Sequence, residues 1–190
     1  MRRRFGIRRP FGYDARDMSA STVLFLFARI AHVLFAAIWI GAVVFTTFFV
    51  MPSLGEIGPA GAPFMQAMIR RKLHVFMASL GGLTVVTGLY LYYRFTGGFD
   101  PALSGTRGAM VFGTGGILGI IALVIGGAVI GRNMKKIGEL TDRLATAPPA
   151  DRAVLGGEIA AAQARAGTGS RIVVALLVIA ISLMAIGHYV

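Results

Sequence analysis

IAHVLFAAIWIGAVVFTTFFVM, residues 30–51, carries no charged side chain. As an α-helix it is long enough to cross a hydrocarbon core, which is about 30 Å thick and takes roughly 20 apolar residues. Three further runs of the same kind follow, at about Leu73–Tyr93, Ala109–Gly131 and Ile172–Val190, and none of them holds an Asp or Glu. With no water to satisfy its backbone inside lipid, a spanning segment of this composition must be helical or part of a closed barrel. The lengths fit helices. The sequence therefore predicts an all-α integral membrane four-helix bundle.

The totals agree. Of 190 residues 56% are hydrophobic, and the mean hydropathy is +0.74. A water-soluble domain of this size could not hide so much apolar surface. One bundle accounts for nearly all of it, with the basic tail 1–21 expected on the membrane surface and residues 22–190 forming the transmembrane domain. The chain has no cysteine, which excludes disulfides, iron–sulfur clusters and thiolate metal sites. Its net charge is +11, and the Arg and Lys flank the spans instead of forming a patch on a soluble domain. The partner implied is a bilayer with anionic headgroups, and not nucleic acid. The tail MRRRFGIRRPFGYDAR has a faint look of a twin-arginine export signal. The apolar run after it is too long for a signal core and no small-residue cleavage site follows, so the tail reads as retained.

Between the spans, Ser19-Ala-Ser-Thr22 can start a helix. Arg29 is costly in lipid and is expected to snorkel to the interface, so that the crossing starts near Ile30. Pro52 to Pro63 reads as a loop rich in Gly and Pro, and 64–72 as a helical lead into span two. Tyr90, Tyr92, Tyr93 and Arg94 form an aromatic and basic anchor at its far end. Residues 133–171 are the one sizeable polar region. They read as a helical hairpin-like segment: a helix through Leu144, a break at Pro148-Pro149, then a separate helix from about Asp151, which could cap it, to Ala166. Gly167-Thr-Gly169 is expected to end that helix before span four. The N-terminus, the loop around Asp100 and the C-terminus share one side, here the N-side. Basic residues divide almost evenly between the two sides, so charge does not set the orientation.

Span three carries Gly115-x-x-x-Gly119 and Gly127-x-x-x-Gly131, and span two carries Ala78-x-x-x-Gly82 beside the pair Gly81-Gly82. Small residues four apart let helix backbones approach closely in lipid. Packing within the bundle is the simplest expectation; a subunit interface or a cofactor against the backbone is the alternative.

Chemistry has few places to live. The spans hold no carboxylate, and no Ser-His-Asp set, HExxH or phosphate-cradling glycine loop is present. The three histidines are His32, His74 and His188. His32 and His188 lie near the N-side ends of the first and last spans, each expected about 3 Å inside. Neutral imidazole is a common ligand of haem iron and copper. Two histidines at matching depth could clasp one haem b, with Arg29 and Arg94 on its propionates and with Ala28 and Ala36 leaving room for a flat macrocycle. A histidine at that depth can also simply hydrogen-bond at the headgroup boundary. Trp39, two turns beyond His32, is expected in the core. On the opposite side, Met65, Met68, His74 and Met77 could suit copper(I) through thioether and imidazole, or could be ordinary packing.

The string Ile30-Ala-His32-Val-Leu-Phe-Ala-Ala-Ile-Trp39-Ile-Gly41 resembles the first-helix pattern of CopD-like copper-resistance membrane proteins and their small four-span relatives. Gly81-Gly82-Leu-Thr-Val-Val-Thr87-Gly88-Leu89 resembles the second-helix pattern of the same group. Ser182-Leu-Met-Ala-Ile-Gly-His188-Tyr189 is similar to the last span of some members. The resemblance implies copper handling or haem binding in a bacterial inner membrane, and it carries over only His32. The expected function is a small cofactor-binding membrane protein, holding haem b or copper and not catalytic alone. The alternatives are an accessory subunit, packed without cofactor against a larger membrane complex or a second copy of itself, and an oxidase of the haem-synthesis type.

Overall fold

The computed structural model describes residues 19–190; the basic tail expected on the membrane surface lies, through residue 18, outside them. Six helices follow one another: α1 (Ala20–Ile57), α2 (Ala62–Arg70), α3 (Leu73–Phe95), α4 (Pro101–Ser104), α5 (Arg107–Thr146) and α6 (Pro149–Ile186). There is no strand among the described residues. Four of the helices are long and apolar enough to cross a membrane, which makes this an all-α four-helix bundle and a multi-pass membrane protein. The surface of its spans is largely apolar: Phe27 is 70% exposed, Val86 65% and Ile117 59%, a coat that water would not tolerate.

Local chemistry sets the ends. Ser19 caps α1, its hydroxyl accepting from the Thr22 N–H. Helix α1 does not stop at Met51 as the sequence suggests. It continues through Pro52 to Ile57, and only Gly58–Gly61 intervenes as a tight 3-10 turn before α2. A proline inside a helix removes an N–H and crowds the carbonyl four residues back. Here that carbonyl belongs to Phe48, and the helix widens into a π-turn over Thr46–Val50 just ahead of the proline. The wider turn accommodates Pro52 and lets the helix go on. A second π-turn, Gly126–Gly131, interrupts α5, and the Asn133 side-chain amide donates to the Val129 carbonyl there at 2.7 Å.

The polar segment is the expected helical hairpin, turning at Ala147-Pro148, but its two arms are continuous with the spans. Residues 133–146 are the end of α5, and α6 runs unbroken from Pro149 to Ile186, straight through Gly167-Thr-Gly169. Glycine alone costs about 1 kcal/mol in a helix, which packing against α5 outweighs. Pro148 stands at the cap position of α6 and Asp151 lies in its first turn, without capping. The last span ends at Ile186, leaving His188, Tyr189 and Val190 beyond the helix.

Helix α1 packs most closely on α3, and α5 on α6; α3 and α5 join the two pairs, and α1 touches α6 lightly. The shared core is Trp39, Val43, Leu80, Ala122, Val173, Val174 and Leu177. Side chains pressed against glycines fix the registers. His32 sits at Gly88 and Trp39 at Gly81; Leu123 sits at Gly81 and the Tyr92 hydroxyl at Gly113; the Ala180 carbonyl sits at Gly115 and Val129 at Gly169. These contacts put Phe25, Phe95, Ala109 and His188 at about one level on the N-side. They put Phe48, Lys72, Arg132 and Arg165 at about one level on the other. Beyond Arg132 and Arg165, α5 and α6 run on as an antiparallel stalk of about 20 Å. It is held by buried Ile137, Leu140, Leu155 and Ala162, and by a Lys136–Glu158 contact at 3.5 Å.

Candidate functional site around His32

Antiparallel packing brings the two quoted strings of spans one and two face to face. His32 and Trp39 stand about two turns apart on α1, and Gly88 and Gly81 stand about two turns apart on α3. Each large side chain fills the notch that a glycine leaves. A Cβ at Gly88 would lie 2.7 Å from His32 Cε1, and one at Gly81 would lie 2.9 Å from Trp39 Cε2. Either position admits only hydrogen without a shift of the ring.

The Gly88 notch also has a polar consequence. With no side chain one turn above it, the carbonyl of Thr84 is open to α1, and His32 Nδ1 lies 2.8 Å from that oxygen. A carbonyl cannot donate, so Nδ1 carries the hydrogen and donates to Thr84. Thr87 Oγ1 lies 3.3 Å from the same nitrogen, and its own hydrogen is directed to the Leu83 carbonyl at 2.6 Å. In the neutral ring, the form an apolar seam favours, the tautomer is thereby set: Nε2 keeps its lone pair. That nitrogen has no hydrogen-bond partner among the described residues. It is not sealed either; the fully enclosed side-chain atom lacking a partner is the Tyr90 hydroxyl.

The structure does not bring His188 to His32. The registers place His32 level with Ile181, so that His188 lies about 10 Å nearer the N-side surface. His188 is exposed beyond the end of α6, with its ring edge-on to Phe112 of α5 at 5.0 Å. His32 turns to α3. The equal depth expected of the two rings came from counting each from an assumed span end; α1 begins further out, at Ala20, and α6 ends earlier, at Ile186. Arg29 and Arg94 are both exposed on the N-side of His32, and neither forms an ion pair among the described residues. Ala28 is buried and Ala36 half-buried.

The residues of the other candidate set divide. His74 is exposed at the start of α3, Met77 packs against the Trp39 core cluster, and Met65 and Met68 are half-buried on α2. Among the described residues no three His, Asp or Glu side chains cluster as metal ligands would. Of the glycine pairs in α5, only Gly115 receives another helix, through the Ala180 carbonyl and Met184. Gly116, Gly119, Gly126 and Gly127 have open space where a side chain would be, as does Gly82 on α3.

Fold and site together define a class: a multi-pass four-helix membrane protein with one anchored imidazole in the seam between its first two spans. No family model, no curated protein and no solved structure matches the chain.

Proposed function

We propose that this protein binds haem b in the membrane through Nε2 of His32, and that it does so as a cofactor-holding protein without catalysis of its own. The observation that carries the reading is the Nδ1–H···O=C bond to Thr84. A metal-ligating histidine almost always gives its other ring N–H to a carbonyl or carboxylate, which fixes the ring and raises its basicity. His32 is held in this way and presents an unprotonated, unpartnered nitrogen. The donor set suits haem better than copper: it is a single imidazole in an apolar seam, while the thioethers that soft copper favours lie on α2 and in the core. Gly116 of α5 lies level with His32 and is open, which leaves room beside the seam. Arg29 and Arg94, toward the N-side and without an ion-pair partner among the described residues, are suited to carboxylates such as propionates. Bound haem would supply a one-electron redox centre. The resemblance of spans one and two to the CopD-like pattern is compatible with this reading, with a bacterial inner membrane as the location.

His188 is outside this proposal, since its ring is spent on Phe112. An absorption spectrum of the purified protein tests it. The expected result is a Soret band that is lost in His32→Ala and kept in His188→Ala. A colourless wild type supplied with haem, or a spectrum unchanged by His32→Ala, overturns it.

A second reading, an accessory subunit seated against another membrane protein, is favoured by the open glycines of α5. Its signature is a colourless preparation that migrates as a defined complex, lost in Gly119→Leu while the chain itself keeps its melting temperature.

A further inference from the structure

We infer that the protein carries an anionic-phospholipid collar where its stalk leaves the membrane. Three helices reach that level with a cation at almost the same height: Lys72 at the start of α3, Arg132 on α5 and Arg165 on α6. Arg70 and Arg71 precede Lys72, and Arg171 lies about two turns toward the bundle from Arg165. All six side chains are exposed. None has a carboxylate partner among the described residues.

The acids at this end stand elsewhere. Glu139 and Glu158 lie about two turns further out on the stalk, roughly 10 Å beyond Arg132 and Arg165. They face Lys135 at 3.7 Å and Lys136 at 3.5 Å, not the collar. Glu56 is likewise about two turns beyond Phe48 on α1. Charge is therefore segregated by height: cations alone at the membrane boundary, and mixed charge on the stalk in water. A mixed boundary would have served solubility equally well. A boundary of unpaired cations fits a plane of phosphates, where each Arg or Lys near an anionic surface contributes about 1 kcal/mol. Guanidinium matches phosphate geometry with two parallel hydrogen bonds, and five of the six positions (all but Lys72) are Arg. The occupant is thus an anionic phospholipid headgroup, bound through its phosphate.

Purified full-length protein in detergent is titrated with mixed micelles containing phosphatidylglycerol, phosphatidylcholine, or inorganic phosphate alone, and its melting temperature is followed. Phosphatidylglycerol is expected to raise the midpoint by several degrees more than phosphatidylcholine. The difference should fall by at least half in the triple variant K72Q/R132Q/R165Q, and remain in the stalk control R143Q/R152Q. If the triple variant does not fold, salt decides on the wild type: the preference must fade between low and high ionic strength. Equal responses to the two lipids overturn the inference. So does a preference insensitive to both salt and substitution. A shift given as fully by inorganic phosphate as by phosphatidylglycerol overturns the lipid assignment, because it marks a free-anion site.

Discussion

His32 owes its position to an atom that is missing from its neighbour. Gly88 leaves both the space for the ring and the path to the Thr84 carbonyl, so a single methyl there acts twice. Gly88→Ala is expected to displace the ring and to cost about 1–3 kcal/mol of stability, as overpacking of a tight site does. Gly82→Ala, on the same helix but with open space around it, should be neutral or slightly stabilising. Thermal unfolding of the two variants side by side checks this. A loss at Gly82 equal to that at Gly88 would show that glycine flexibility, not the notch, matters. Trp39 offers a second residue-level readout, because it is the only tryptophan in the chain. Gly81→Ala should move its emission, since a Cβ there would meet the indole at 2.9 Å; an unchanged spectrum would mean that the indole is not seated as described.

At the scale of elements, helix continuity is decided by contacts that outweigh local breakers. Helix α6 passes through Gly167 and Gly169 with different neighbours. Gly167 has open space, whereas a Cβ at Gly169 would meet Val129 Cγ1 at 3.1 Å across the α5 interface. Gly167→Ala should therefore raise stability by up to about 1 kcal/mol, the helix-propensity gain. Gly169→Ala should lower it, because the α5–α6 spacing must widen. Both variants are read by melting temperature, and a stabilising Gly169→Ala would show that this interface is looser than the structure has it. The Lys136–Glu158 contact, half-exposed on both sides, contributes little by comparison, about 0–1 kcal/mol for surface pairs.

For the whole molecule, the registers separate two ends of unlike shape. The N-side carries short turns, including the α4 turn capped by Asp100, whose carboxylate accepts from the Ala102 N–H at 2.9 Å. The other end carries the stalk, whose tip is the turn at Ala147-Pro148. The chain lacks cysteine, so single cysteines report cleanly. In sealed vesicles, Ala102→Cys and Ala150→Cys should react with a membrane-impermeant maleimide from opposite faces. Labelling of both from one face would contradict the four crossings.

By itself the sequence determined the four crossings, the helical class, a helix start within Ser19–Thr22 and the core placement of Trp39. Each follows from local composition: apolar length fixes a span, a hydroxyl fixes a cap, and an indole has nowhere better to be than the core. Helix lengths were beyond it, because Pro52 and the Gly167-Thr-Gly169 stretch are breakers only until a π-turn or a partner helix absorbs them. The partner of His32 was beyond it too, although a signal existed: His32 and Trp39 share the spacing of Gly81 and Gly88. That match means contact only when the helices run antiparallel in one register, and register is a property of the packed pair. Tertiary structure alone therefore decided that His32 leans on the Thr84 carbonyl and His188 on Phe112, since a histidine in lipid takes whichever acceptor or ring the neighbouring helix leaves uncovered.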